Sequence, residues 1–163
     1  MLAKLTDEDI DYALFGISVP VNQESIRNHL YIVDKHDTLT RYTPNRMQRD
    51  LATKLTGRDL VLKYRQGGAS TFFVIENFVK AITGRARIAI MAHDSPTTQK
   101  LRRMAEILWR NLPQGLQPPR GLDNAETTTY KNTGSEITIA TAGSKNIGVG
   151  GTYGGGVHGS EVS

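Results

Sequence analysis

Leu60-Val61-Leu62-Lys63-Tyr64-Arg65-Gln66-Gly67-Gly68-Ala69-Ser70-Thr71 is the stretch on which the fold turns. An apolar run stops at a basic turn with two glycines. The turn opens into Phe72-Phe73-Val74-Ile75, continued at helical spacing by Phe78 and Val79. Strand, glycine turn and helix, in that order, build a phosphate cradle, because main-chain N–H groups and the positive helix N-terminus converge on an anion. The pattern predicts a strand over 59–63 and a helix over 70–83 that closes near Gly84. The chemistry expected of such a turn is nucleotide handling.

Upstream, Thr43-Pro44 reads as N-cap and first helical position, with Met47, Leu51 and Leu55 on one face and Gly57 as the stop. Downstream, Ala86 to Ala92 reads as a second apolar strand. Ser95-Pro96 then supplies an N-cap and a first-turn proline for a helix carrying Leu101, Met104, Ala105, Leu108 and Trp109 as far as Leu112-Pro113. Strands alternating with helices predict an α/β fold with a parallel sheet. Gln114 to Asp123 reads as a Pro/Gly loop. Thr127 to Tyr130 and Ser135 to Ala142 read as strands around a turn at Lys131-Asn132-Thr133-Gly134. The first 40 residues give weaker signals: a short helix over 7–15 capped by Thr6, then a short element from Glu24 to Val33. They are expected to be a peripheral helical extension, with 41–163 forming the nucleotide-binding domain.

The bulk properties bound this picture. A 163-residue chain is one domain with room for a real core. Lys and Arg total 20 against 16 Asp and Glu, a net charge of +4 that is compatible with nucleic acid without demanding it. The absence of cysteine excludes disulfides and thiolate metal sites. No apolar run approaches the ~20 residues of a membrane span, and the acidic start, Asp7-Glu8-Asp9, lacks a signal peptide's apolar segment. A cytoplasmic setting and no membrane partner are therefore expected. Asp94 or Ser95 of His93-Asp94-Ser95 reads as helix-cap chemistry, Trp109 as a core or interface aromatic, and His36 and His158 lack the spacing of a metal site.

The phosphate turn departs from the standard pattern G-x-x-x-x-G-K-[ST]. Gly68 takes the second-glycine position and Ser70 the hydroxyl position. Lys63 stands where the first glycine belongs, and Ala69 replaces the lysine. Charge redistributes at the β/γ-phosphates during transfer, so a cation is still needed there. Lys63 at the strand end and Arg65 in the turn are the candidates.

Thr43 to Leu51 followed by Gly57 to Thr71 resembles the start of the ATPase domain of tailed-phage terminase large subunits. A subset of that family carries a deviant phosphate loop, K-x-R-Q-x-G-x-S-T, and every specified position is matched here from Lys63 to Thr71. The resemblance covers roughly residues 40–163. It implies a P-loop NTPase fold of the ASCE type, a parallel sheet flanked by helices, with ATP and Mg²⁺ as ligands. It also implies Gln48 as the adenine-reading glutamine and Gln66, Gly67, Gly68, Ala69, Ser70 and Thr71 as the phosphate cradle. Ser70 supplies the Mg²⁺ hydroxyl, Lys63 is the relocated lysine, and Arg65 is a transition-state or sensor group.

Val157-His158-Gly159-Ser160-Glu161-Val162 falls where the family's acidic motif belongs. The resemblance implies Glu161 as general base and Ser160 as a neutral group beside the metal. The preceding Gly154-Gly155-Gly156 is poor strand material, because glycine lacks packing surface and loses much entropy on ordering. The family continues past this point with further ATPase strands and usually a nuclease domain. The fold is therefore expected to be incomplete at its C-terminus, with weak or no ATPase activity alone. Implied partners are double-stranded DNA, the portal protein and the small terminase subunit, with a homo-oligomer in the assembled motor of a phage or prophage in its bacterial host. The alternatives are a helicase-like nucleic-acid translocase and a non-hydrolysing remnant that binds DNA or a packaging partner.

Overall fold

The computed structural model describes residues 22–56, 59, 61, 67–143 and 154–160 of the chain. The expected helix over 7–15 and most of the expected strand over 59–63 lie outside them, as do Lys63, Arg65, Gln66 and Glu161.

The described elements are α1 (Gln23–Asn28), β1 (Tyr31–Val33), β2 (Leu39–Arg41), α2 (Arg46–Lys54), α3 (Ala69–Thr83), β3 (Arg87–Ala92), α4 (Ser95–Arg110), β4 (Arg120–Asp123), β5 (Thr127–Tyr130), β6 (Ser135–Thr141) and β7 (Gly156–Ser160). The main sheet has the order β4-β5-β6-β3-β7. β6, β3 and β7 run parallel, whereas β5 and β4 are antiparallel additions at one edge. The fold is thus α/β with a mixed sheet, not the wholly parallel one expected. The reason is local: four residues, Lys131 to Gly134, join β5 to β6, and a hairpin that short makes its strands antiparallel. Gly134 takes φ 66° in that turn and its N–H donates to the Tyr130 carbonyl at 2.9 Å.

Two further expectations are corrected. The loop predicted over 114–123 ends in a strand, because Arg120 pairs with Tyr130 and the Lys131 N–H donates to the Pro119 carbonyl at 2.9 Å. The segment expected to be peripheral enters the core. Ile26 and Leu30 are fully buried in the same cluster as Ile75, Phe78 and Ile90. The β1–β2 hairpin passes through the expected boundary at residue 40, and β1 packs on α4.

Helix α3 is the centre of the core. Phe72, Ile75, Val79 and Ile82 recur at helical spacing, and with Val74, Phe78 and Ala81 they are all buried. Strand β3 is buried at Ile88, Ala89, Ile90 and Ala92, as a central parallel strand must be. The helix runs antiparallel to β7: Lys80, late in α3, donates to the Gly155 carbonyl at 2.6 Å, while Phe73, in its first turns, stacks on His158. The start of α3 therefore lies at the carboxyl end of the parallel strands, where ligands bind in open α/β sheets.

The glycines before β7 do not prevent the strand. β7 begins at Gly156 and pairs with β3 from Ile88 to Ala92. A Cβ on Gly155 would lie 2.7 Å from the Arg87 carbonyl oxygen and 2.8 Å from Ala86 Cβ, so glycine is what permits the approach.

Candidate functional site at the start of helix α3

Gly68 is the N-cap of α3 and takes the left-handed conformation, φ 82° and ψ 13°. Having no side chain, it offers no cap hydrogen bond to the first turn, and that turn contains no acidic residue. The contrast with α4 is direct. There Asp94 is the N-cap and its carboxylate accepts from the Thr97 N–H at 2.7 Å, so α4 carries its own anion. The Thr97 N–H and hydroxyl hold the Asp94 carboxyl below the usual carboxylate range, and His93 lies 2.8 Å away. Helix-cap chemistry is thus present at His93-Asp94-Ser95, but the cap is Asp94, and Ser95, expected as N-cap, is the first helical residue.

Among the expected cradle residues, Gly67 and Ala69 are buried, and Ser70 and Thr71 are half-buried in the first turn of α3. Ser160 ends β7 opposite Ala92 of β3, at the carboxyl end of the sheet that α3 faces with its N-terminus. The fold brings the turn and the end of β7 to one edge.

Gln48 is buried, 4% exposed, at the third position of α2. The cap of that helix is Asn45, not Thr43. Its Oδ1 accepts from the Gln48 N–H at 3.0 Å, and Gln48 Oε1 accepts from the Asn45 N–H at 2.9 Å. This reciprocal box satisfies two helix-end donors at once, so Pro44 stays outside the helix. The other edge of each amide reaches the turn. Asn45 Nδ2 donates to the Gly67 carbonyl at 3.1 Å, and Gln48 Nε2 donates to the Gly68 carbonyl at 2.8 Å. Sequence reasoning singled out Gln48 but missed Asn45; the Asn-x-x-Gln spacing of a capping box was the available signal.

Trp109 packs against the core, donates from Nε1 to the Pro118 carbonyl at 3.0 Å and carries the Arg120 guanidinium 3.9 Å above its ring. A cavity of about 520 Å³ beside it is lined by Arg102, Glu106, Arg110, Arg120 and Asp123 among others, and shares no residue with the turn. Among its charges, Glu106 bridges Arg110 and Arg120, and Asp123 meets Arg120 at 2.8 Å. Among the described residues no group of three or more His, Asp or Glu side chains gathers as a metal cage, and no helix is long and apolar enough to cross a membrane. Neither protein-family models nor curated proteins match this chain.

Proposed function

We propose that the chain is the ATP-binding part of a DNA-packaging motor of the terminase large-subunit type, with the start of α3 as its phosphate site. The observation that carries the reading is the left-handed glycine cap at Gly68. It opens a 15-residue helix with no side-chain cap at Gly68 and no acidic residue in its first turn, whereas α4 is capped by the Asp94 carboxylate. The first-turn N–H groups and the helix dipole of such an end favour a phosphate there. The basic residues Lys63 and Arg65, just upstream, supply the charge that Ala69 does not.

Mg²⁺ suits this donor set. It keeps several waters and takes few protein ligands beside substrate phosphates, so the Ser70 hydroxyl needs no carboxylate cage beside it. When bound, the metal neutralises phosphate charge. Gly68 and Ala69 orient the phosphates through main-chain N–H groups. Glu161, one residue beyond Ser160, takes the proton of the attacking water. Hydrolysis drives double-stranded DNA into a capsid in the cytoplasm of a bacterial host.

The test is thermal unfolding with and without ATP–Mg²⁺. At a ligand concentration 100 times Kd, binding adds about 2.7 kcal/mol to stability. Lys63→Ala is expected to remove most of that gain. A folded chain whose melting temperature is indifferent to saturating ATP–Mg²⁺ would exclude the reading.

A further inference from the structure

The Asn45 and Gln48 amides can be oriented in only one way. The two main-chain N–H groups they face can only donate, so Oδ1 and Oε1 must point at them. The Gly67 and Gly68 carbonyls can only accept, so Nδ2 and Nε2 must point there. Both amides are held on two edges by protein. Gln48, 4% exposed, has its carbonyl edge on Asn45 and its amino edge on Gly68. To read a base, an amide has to turn a donor and an acceptor toward it, and here each edge is already engaged.

We propose that Gln48, with Asn45, is a positioning residue that straps the Gly67–Gly68 turn to α2, and that it does not discriminate the base. The proposal rests on the nucleotide-binding reading above and changes the adenine-reading role that the family resemblance implies for Gln48. The geometry follows from the planar trans peptide, in which the N–H of one residue points opposite to the carbonyl before it. A Gly67 carbonyl pinned to Asn45 turns the Gly68 N–H away from α2. A Gly68 carbonyl that accepts from Gln48 Nε2 as well as from the Phe72 N–H at 3.0 Å does the same for the Ala69 N–H. The strap thus aims two consecutive donors out of the mouth of α3. Gly68 also has to lack a side chain for the strap to close, since its Cβ would lie 2.8 Å from Gln48 Nε2 and 3.2 Å from Asn45 Nδ2.

Gln48→Glu separates the roles. It keeps an acceptor for the Asn45 N–H, as glutamate does in a capping box, and replaces the donor facing the Gly68 carbonyl with an oxygen. Gln48→Met removes the donor without adding charge. Titration calorimetry would use ATP, GTP and inorganic tripolyphosphate, each with Mg²⁺. Both variants are expected to weaken all three by a similar factor, about fivefold or more for one lost hydrogen bond. A loss confined to ATP, with tripolyphosphate binding intact, would make Gln48 a base reader and overturn the proposal. If the native chain binds none of the three, the nucleotide reading fails, and the strap is decided by amide hydrogen exchange. Faster exchange at Gly68 to Phe72 in Gln48→Glu, with Arg49 to Thr53 of α2 unchanged, supports it; unchanged exchange at the turn overturns it.

Discussion

Phe73 and His158 lie ring against ring, their centroids 4.4 Å apart and their planes 24° from parallel. One ring belongs to the first turns of α3, the other to β7 two residues before Ser160. The stack therefore ties α3, which the Gly67–Gly68 turn opens, to β7, which ends at Ser160. Stacked rings contribute about 0.5–1.5 kcal/mol beyond their buried area. A double-mutant cycle of Phe73→Ala and His158→Ala, measured by urea unfolding, is expected to show coupling in that range. Additivity to within about 0.3 kcal/mol would mean the contact carries no energy.

Gly68→Ala places a side chain where φ is 82° and where Gln48 Nε2 sits 2.8 Å from the new Cβ. The left-handed conformation alone costs about 1–2 kcal/mol for an L residue, and the overlap with the strap adds to it. The expected loss is about 2–3 kcal/mol by chemical denaturation. In a Gln48→Ala background the tightest overlap is gone and only the 3.2 Å approach to Asn45 Nδ2 is left, so the additional loss from Gly68→Ala shrinks toward the conformational part. An unchanged increment would show that Gln48 and the turn are not in contact.

Tyr42 is a buried phenol, 8% exposed, whose hydroxyl has no hydrogen-bond partner among the described residues. It sits near the Arg27–Glu76 pair that joins α1 to α3. Burial pushes its pKa up to about 12, with Glu76 adding to the rise and Arg27 opposing it. The unfolded phenol ionises near 10, so the folded state holds its proton longer. Stability is full below pH 10 and falls as pH rises toward 12. Tyr42→Phe is expected to flatten that alkaline limb in a melting-temperature profile. At pH 7 it is expected to be neutral or stabilising by up to about 1 kcal/mol, since it removes an unsatisfied buried hydroxyl. A clear destabilisation would show that the hydroxyl has a partner.

Glu106 has the opposite sign. Burial raises its pKa, but hydrogen bonds from Arg120 and Arg110 outweigh that and hold the carboxyl below its usual range. A depressed folded-state value means stability that is present above the unfolded value of about 4.5 and lost as pH falls below it. Glu106→Gln is expected to blunt the acid limb below pH 4.5. It should cost about 1 kcal/mol at pH 7, a modest amount because the carboxylate is partly solvated and Asp123 still meets Arg120. An acid limb identical in the two proteins would rule out the Glu106 contribution.

What the sequence made legible follows physical lines. α3 could be read because Phe72, Ile75, Val79 and Ile82 state the helical period within one short window. The β5–β6 hairpin could be read because Gly134 marks its turn. β4 could not: Gly121, Leu122 and Asp123 are exposed, so no alternation betrays a strand whose cause is the pairing with β5. The burial of Ile26 and Leu30 was equally hidden, since a six-residue helix has too few turns to show a period. At the site, the residue Gln48 was visible, yet its partner Gly68 lies 20 positions away and contacts at that separation leave no local pattern.

Gly155 is where local and tertiary demands conflict most sharply. Strand propensity counts against glycine there, but the strand passes so close to β3 that nothing larger fits. A Cβ would meet the Arg87 carbonyl oxygen at 2.7 Å and Ala86 Cβ and Ile88 Cγ1 at 2.8 Å. The neighbours cannot yield cheaply. The Gly155 N–H donates to that same Arg87 carbonyl at 2.9 Å, and Lys80 Nζ holds the Gly155 carbonyl. Gly155→Ala must then push the start of β7 off β3, and the expected cost is about 2–4 kcal/mol, in the range of overpacked cores. Gly154, one residue earlier, has nothing among the described residues within 4 Å of its would-be Cβ. Gly154→Ala is therefore expected to stay within about 0.5 kcal/mol of the native protein. Hydrogen exchange of the β7 amides locates the effect: accelerated in Gly155→Ala, native-like in Gly154→Ala. Equal behaviour of the two variants would mean that β7 does not pack on β3 in this register.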